Sequence, residues 1–263
     1  MKRNLLLTIE YDGTYFNGWQ RQPGLKTGQG AIEEALTKLM NQPVTIDGTS
    51  RTDAGVHALC QKATFSGDFG IPTDRIKRAL NDMLASNESY RGKAAPIRVI
   101  DVEEVPEDFH ARFNCTGKKY RYIIDTCKEP NIYERNYAYQ IGEELDIAKM
   151  EEALEHINGT HDFEAFQAAG GTPRETTVRT IFGTSLKREG NKIIFEVRGD
   201  GFLYNMVRIM VGTLIEVGKG KLDPKSVKEI LDSHDRQNAG PTAPAEGLYL
   251  AEIYFTQEEL WKE

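Results

Sequence analysis

An α+β fold with mostly antiparallel sheet is predicted by three features of this 263-residue chain. Each half mixes several strand-like stretches with about two amphipathic helical stretches. Glu189-Gly190-Asn191 is a hairpin turn signal between two alternating segments. No sequence repeat and no long low-complexity linker separates the halves.

The elements follow in order. Leu5 to Tyr11 reads as a buried strand, followed by a loop from Asp12 to Gly30 rich in Gly, Gln and aromatics. Ile32, Ala35, Leu36 and Leu39 have helical spacing over 30–40. Val44 to Thr49 and Ala58 to Phe65 read as strands around a compact polar turn at 50–57. A helix is expected from Thr73 to Ser86, with Thr73 or Asp74 near its cap, then a strand from Arg98 to Val105. In the second half Lys118 to Asp125 alternates as a strand. Asp146 to Ile157 is an amphipathic helix turning Ile147, Met150, Leu154 and Ile157 inward. Thr176 to Lys187 and Ile193 to Arg198 form the hairpin, and Phe202 to Val217 reads as a helix. Asp223-Pro224 opens another helix, with Asp as cap, and Leu248 to Phe255 is the closing strand. The acidic stretch 101–108 marks the expected boundary, dividing the chain into 1–104 and 105–263.

Composition excludes several classes. With 39% hydrophobic and 28% charged residues the chain is an ordinary soluble globular protein. Its most apolar run, Met206 to Val217, is interrupted by Arg208 and Glu216, so no membrane helix is expected. Leu5-Leu6-Leu7 after Met1-Lys2-Arg3 imitates a signal peptide, but Thr8, Glu10 and Asp12 break the run. Cys60, Cys115 and Cys127 are odd in number with no CxxC pair. The five histidines lack metal spacing. A cytoplasmic protein without disulfides, metal or cofactor is expected.

The formal net charge is −7, yet the charges are segregated. Residues 101–108 carry five acids and no base, and 143–164 carry eight acids and one lysine, so the remainder of the chain is net positive. Segment 110–135 has six bases against three acids, among them Arg112, Lys118, Lys119 and Arg121. Basic surface set apart from acidic surface is compatible with a nucleic-acid partner and equally with solvated helix faces.

Three places could carry chemistry. The turn Arg51-Thr52-Asp53-Ala54-Gly55 combines a carboxylate, an anion-binding guanidinium and two small residues that let a ligand approach, with His57 just beyond; Asp in a turn is otherwise a capping residue. Arg208 lies in a helical stretch apolar on nearly every side, so a buried guanidinium there needs a carboxylate, and Asp53 is the obvious choice unless the side chain reaches solvent. Tyr120 and Tyr122 share one face of a strand while Lys119 and Arg121 share the other, a pattern suited to base stacking and phosphate contact or to a half-buried sheet. The aromatic loop 11–20 reads as core and turn, or as a binding rim. Phosphate loops, dinucleotide fingerprints and hydrolase elbows are absent from the sequence.

At these residues the chain resembles the TruA-type tRNA pseudouridine synthases. The resemblance is carried by YDGTYFNGWQRQ at 11–22, RTDAGVHA at 51–58, DFHARF at 108–113 and KKYRYII at 118–124. It continues in GTHDFEAF at 159–166, GFLYNMVRIMVGTLIEVGKG at 201–220 and TAPAEGLYL at 242–250. It implies two ferredoxin-like halves sharing a central antiparallel sheet, with the active-site cleft between them. It also implies a homodimer that binds tRNA and isomerises uridines 38, 39 and 40 of the anticodon stem-loop without cofactor or metal. Carried over residue by residue, Asp53 matches the catalytic aspartate and Arg51 the arginine that helps extrude the base. Tyr120 matches the tyrosine that packs on the base, and Arg208 the arginine that pairs with the aspartate. Lys118, Lys119 and Arg121 flank Tyr120 as expected substrate-binding cations. Two departures bear on substrate choice. Ser50 stands where the family usually has Gly, and 81–95 lacks the usual Asn-x-x-Leu-Pro-x-Asp-Ile pattern. Another tRNA position, ribosomal RNA, a non-catalytic RNA-binding module and a base-releasing nucleosidase are the alternatives.

Overall fold

The computed structural model describes residues 2–87, 94–171 and 175–261. Contacts divide the chain into two compact units. The first is Met1–Cys115 with Tyr249–Phe255, and the second is Thr116–Leu248 with Thr256–Glu263. The acidic stretch expected at the boundary lies inside the first unit, because most of it is a sheet strand. Its acids meet cations there: Arg3 binds Glu104 at 2.7 Å and Lys62 approaches Glu103 at 3.8 Å.

The first unit contains β1 (Arg3–Tyr11), α1 (Gly28–Met40), β2 (Asp47–Gly48), β3 (His57–Gly67), α2 (Thr73–Ala85) and β4 (Ile97–Val105). β1 lies between β3 and β4, antiparallel to both, with Leu5 opposite Phe65 and Leu7 opposite Ala63. β2 pairs with the far end of β3, so the order β4–β1–β3–β2 is that of a ferredoxin-like sheet. Leu5, Leu6, Leu7 and Ile9 are all buried, so both faces of β1 are covered, as a strand without polar alternation requires. Ile32 and Leu36 of α1 and Ile76, Leu80 and Leu84 of α2 supply apolar cover. Asn81 ties α2 to β4 by giving and taking one bond with the Val99 backbone, each 2.8 Å.

Two local expectations fail in this unit. The strand expected over 44–49 shrinks to two residues, because α1 takes its backbone groups. Val44 N–H donates to Thr37 Oγ1, Ile46 N–H donates to Glu33 Oε1, and the Ile46 carbonyl accepts from Gln29. Side chains of a helix have replaced a sheet partner. At α2 the cap position is Pro72, and Thr73 is engaged instead with Arg3 and Glu104. The atypical 81–95 segment is described only in part; residues 88–93 lie outside the described ones.

The second unit contains β5 (Gly117–Asp125), β6 (Tyr139–Gln140), α3 (Ile147–Glu155), β7 (Gly159–Asp162), β8 (Val178–Glu189) and β9 (Lys192–Gly199). They are followed by α4 (Met206–Gly218) and α5 (Ser226–Ser233), then β10 (Leu248–Tyr254), whose residues from Tyr249 onward belong to the first unit, and α6 (Gln257–Trp261). β5, β9, β8 and β7 form successive antiparallel pairs, and the two short strands β6 and β7 were not foreseen. β10 runs parallel to β3, with Tyr249 opposite His57. The expected hairpin closes where Glu189 pairs with Lys192. Met150 and Leu154 of α3 are buried, whereas Ile147 is only half-buried at the first turn.

α4 starts four residues later than its hydrophobicity implies. Asn205 adopts a left-handed conformation (φ 59°), which an α-helix cannot contain, so Phe202 to Tyr204 stay outside. α5 starts at Ser226, not at Asp223. Asp223 Oδ1 takes the Lys225 N–H, and tight i-to-i+3 bonds lead into the helix.

α4 is buried almost all round, and one face lies against a strap of extended chain at 239–244. Thr213 Oγ1 accepts from Gly240 N–H at 2.9 Å, and Ala243 N–H donates to the Arg208 carbonyl at 3.0 Å. Gly212 permits this approach, since a Cβ there would overlap the Pro241 carbonyl. Gly212→Ala is expected to cost about 1–3 kcal/mol by overpacking. In a chain of this size that lowers Tm by several degrees. Thermal unfolding of the purified variant checks this, and an unchanged Tm would show that the strap yields freely.

Candidate active site

The Asp53 turn is shaped from beneath by the first unit's own core. Tyr11 and Trp19 stack at 5.7 Å, Phe16 meets Tyr11 edge-on at 6.0 Å, and Trp19 is 1% exposed. The aromatic loop is therefore core. It grips the turn with two bonds: Trp19 N–H donates to the Thr52 carbonyl at 3.1 Å, and the Tyr11 and Thr52 hydroxyls bond at 2.6 Å. Gly18 (φ +85°) makes the contact possible, since a Cβ would stand 2.7 Å from the Thr52 carbonyl oxygen.

The turn's two ends are also fixed. Buried Gln61 acts as a substitute strand: its Oε1 accepts from Ser50 N–H at 3.2 Å and its Nε2 donates to the Ser50 carbonyl at 2.7 Å. Thr49 Oγ1 donates to the carbonyls of Lys62 and Ala111. At the other end, His57 Nδ1 accepts from Gly13 N–H at 3.1 Å, and its ring stacks on Tyr249 at 4.6 Å. A nitrogen that accepts that bond carries no proton, so the 3.3 Å approach of Asp12 to the same atom is not an ion pair in this geometry. Within the turn Val56 N–H donates to the Asp53 carbonyl. Asp53 is half-buried and Arg51 exposed on this rigid base. Ser50, the departure from the family's Gly, is buried.

The second unit carries the remaining site residues. Tyr120 is buried and meets Phe202 edge-on at 5.1 Å. The expected face division of β5 holds, and it fixes the fate of the cations. Arg121 lies opposite Glu196 of β9 and binds it through Nε at 2.7 Å and Nη2 at 2.6 Å. Lys119, 8% exposed, lies diagonal to the same carboxylate at 3.4 Å. Lys118 is half-buried. Burial pushes the Glu196 carboxyl up, but the bond from Arg121 and the two positive charges outweigh it and hold it below the ordinary range.

Arg208 is half-buried, and its own unit supplies neutral partners that the apolar look of its helix does not reveal. Nε donates to the Ala243 carbonyl at 2.7 Å, and Nη1 donates to Asn205 Oδ1 at 2.9 Å. These two bonds set the guanidinium plane. The strap that carries Ala243 is itself held by β5: Tyr122 Oη donates to the Pro244 carbonyl at 2.8 Å, and Gly247 lies against the Tyr122 ring. Burial drives the Tyr122 hydroxyl far above its ordinary range, with Glu246 adding to the shift and Arg208 opposing it. Tyr122 therefore stays a donor at any working pH. Asn205, Ala243, Tyr122 and Gln61 were not singled out from sequence. Only Asn205, placed just before the Met-Val-Arg run, carried a local signal.

Among the described residues one group has ligand atoms close enough for a metal, Asp162, Glu164 and His234, and it is mostly exposed. No described helix is long and apolar enough to cross a membrane. Cys60, Cys115 and Cys127 are free thiols.

A turn that presents one aspartate beside an arginine, together with a sheet-borne tyrosine and a fixed guanidinium, defines an acid–base or nucleophilic site rather than a redox or metal site by the chemistry of its donors. Comparison gives the class: residues 7–114 and 153–256 match the family described as tRNA pseudouridine synthase, and this chain belongs to that family. It is an isomerase that forms pseudouridine in tRNA. Arg51, Asp53 and Arg208 fall inside the matched segments, and Lys118 to Arg121 fall between them.

Two relatives resemble it along their full length. A tRNA pseudouridine synthase A of Acetivibrio thermocellus is 47% identical over 253 residues, covering 96% of this chain and 100% of its own. A tRNA pseudouridine synthase A 2 of Clostridium perfringens is 48% identical with the same coverage.

The Glu196 pairing has a pH signature. Its folded pKa is depressed, so its contribution to stability is present above the unfolded value of about 4.3 and is lost as pH falls through the folded value. Glu196→Gln should thus destabilise at pH 7, and the difference from wild type should shrink below about pH 4. Urea unfolding at both pH values checks this; a gap that widens in acid would refute it.

Proposed function

We propose that this enzyme isomerises uridines 38, 39 and 40 in the anticodon stem-loop of tRNA, acting as a cytoplasmic homodimer. The observation that carries the reading is the Asp53 turn. Its sequence RTDAGVHA is held rigid by Trp19, Tyr11 and Gln61, while Asp53 and Arg51 stay accessible. The name of the relatives, similar along their whole length, supports the substrate class.

In this reading Asp53 attacks the flipped-out nucleotide, at the sugar or at the base. The bond from C1′ to N1 breaks, a bond from C1′ to C5 forms, C5 loses its proton and N1 gains one. Atoms and electrons balance without a cofactor or metal. Arg51 helps to hold the base out of the stack, and Tyr120 packs on it. Arg208 pairs with the Asp53 carboxylate, which favours its ionised form. Water must be excluded while the intermediate exists. Lys118, Lys119 and Arg121 leave the end of β5 net positive after Glu196 is matched, which suits RNA phosphates.

Mapping pseudouridine in RNA from a strain lacking the protein tests the positions. Loss at 38–40 is expected, and loss confined to another tRNA position or to ribosomal RNA would refute them. Sedimentation of the purified protein tests the dimer.

Asp53→Asn should abolish isomerisation while tRNA affinity stays within about tenfold, or about 1.4 kcal/mol, because phosphate contacts supply most of the affinity. Arg208→Lys should lose much activity and Arg208→Met more, since Lys cannot copy a two-pronged hold on a carboxylate. Turnover near wild type in Asp53→Asn would end this mechanism. RNA binding should weaken steeply with salt despite the acidic pI. Lys118→Ala should flatten the slope of log affinity against log salt by about 0.7–0.9, and Lys119→Ala by less, because Glu196 already holds that charge. Equal slopes in all three proteins would place the RNA elsewhere.

A further inference from the structure

Asn205 occupies the cap position of α4 but does not cap it. Its backbone carbonyl accepts the first helical bond from Ile209 at 2.9 Å. Its side chain, which would ordinarily take an N–H of the first turn, is turned instead to Arg208, where Oδ1 accepts from Nη1 at 2.9 Å. The backbone conformation that allows this is left-handed, φ 59° and ψ 7°, a region that non-glycine residues adopt rarely and at a cost. A cap bond and an ordinary backbone conformation have both been given up, and what stands in their place is one bond to the guanidinium. The second hold on Arg208, from Nε to the Ala243 carbonyl, is also made to a neutral oxygen.

We infer that Asn205 is a positioning residue for Arg208: with the Ala243 carbonyl it fixes the guanidinium by neutral acceptors only, so that the orientation is set while the positive charge stays available to the reacting site. An aspartate would reach as far, tolerate the same backbone and bind more strongly. It would also neutralise the charge. Choosing the amide therefore separates aim from charge. The inference rests on the reading of Arg208 as part of the active site.

Three variants and one double variant test it, assayed by single-turnover pseudouridine formation on whole tRNA, tRNA affinity and Tm. Asn205→Gly keeps the left-handed backbone and removes the acceptor. Its rate should fall about tenfold, with tRNA affinity within about twofold and Tm within a few degrees. Asn205→Asp keeps shape and acceptor, so a merely structural role would be satisfied by it; its rate should fall at least as far as that of Asn205→Gly. In an Arg208→Lys background Asn205→Gly should cost little more, because its effect passes through the guanidinium. A wild-type rate in Asn205→Gly or in Asn205→Asp, or full additivity with Arg208→Lys, would overturn the inference. Arg208→Lys alone separates the two failures. If it is fully active, the reading of Arg208 has failed and the inference with it; if it is slow while Asn205→Gly is not, only the inference has failed.

Discussion

Two functional segments of this protein hang on backbone contacts too close for a side chain. Gly18 admits the Thr52 carbonyl, and Gly212 admits the Pro241 carbonyl. Packed interiors transmit small displacements because they contain few voids. A carbonyl seated against a buried tryptophan loop or a buried helix therefore fixes the residues on either side of it. The Asp53 turn follows Thr52 directly, and the strap that holds Arg208 follows Pro241. Neither segment has regular secondary structure, so the precision each needs comes from what lies beneath it.

Electrostatics within the second unit follow the same economy of place. The net charge is negative, and much of the basic character of β5 is already matched, since Lys119 and Arg121 share Glu196. Arg208 differs in kind: the acceptors seen around it are a carbonyl and an amide. Cations on neighbouring elements have thus been given different tasks. Two of them hold strands together, and one is aimed. Charge counts along the chain cannot make that distinction, because Arg121 and Arg208 look alike in a tally.

Several elements were legible from residue order alone. β1, β3, β4, β5, the β8–β9 hairpin and the two longest helices of the first unit follow from apolar spacing. The aspartate turn stood out by composition. The misses share a cause. The strand expected over 44–49 lost its backbone bonds to Thr37, Glu33 and Gln29, residues of α1 that come earlier in the chain. The start of α4 was set by one left-handed residue, Asn205, inside a run whose hydrophobicity is continuous. The division of the chain did not follow the acidic stretch, because those acids are strand residues paired with Arg3 and Lys62. In each case a contact distant in sequence overrode a local pattern.

By itself the sequence determined the α+β class, the alternation that puts Tyr120 and Tyr122 on one face, and the identity of the residues that carry the family's chemistry. These depend on period, composition and motif, which are local properties. Tertiary structure alone decided that Gln61 serves as the strand partner of Ser50, that Tyr122 secures the strap through Pro244, and that Asn205 forgoes its cap to hold Arg208. The reason is physical: a buried polar group must find a partner somewhere. Which partner it finds depends on what the fold brings within about 3 Å, not on what stands beside it in the chain.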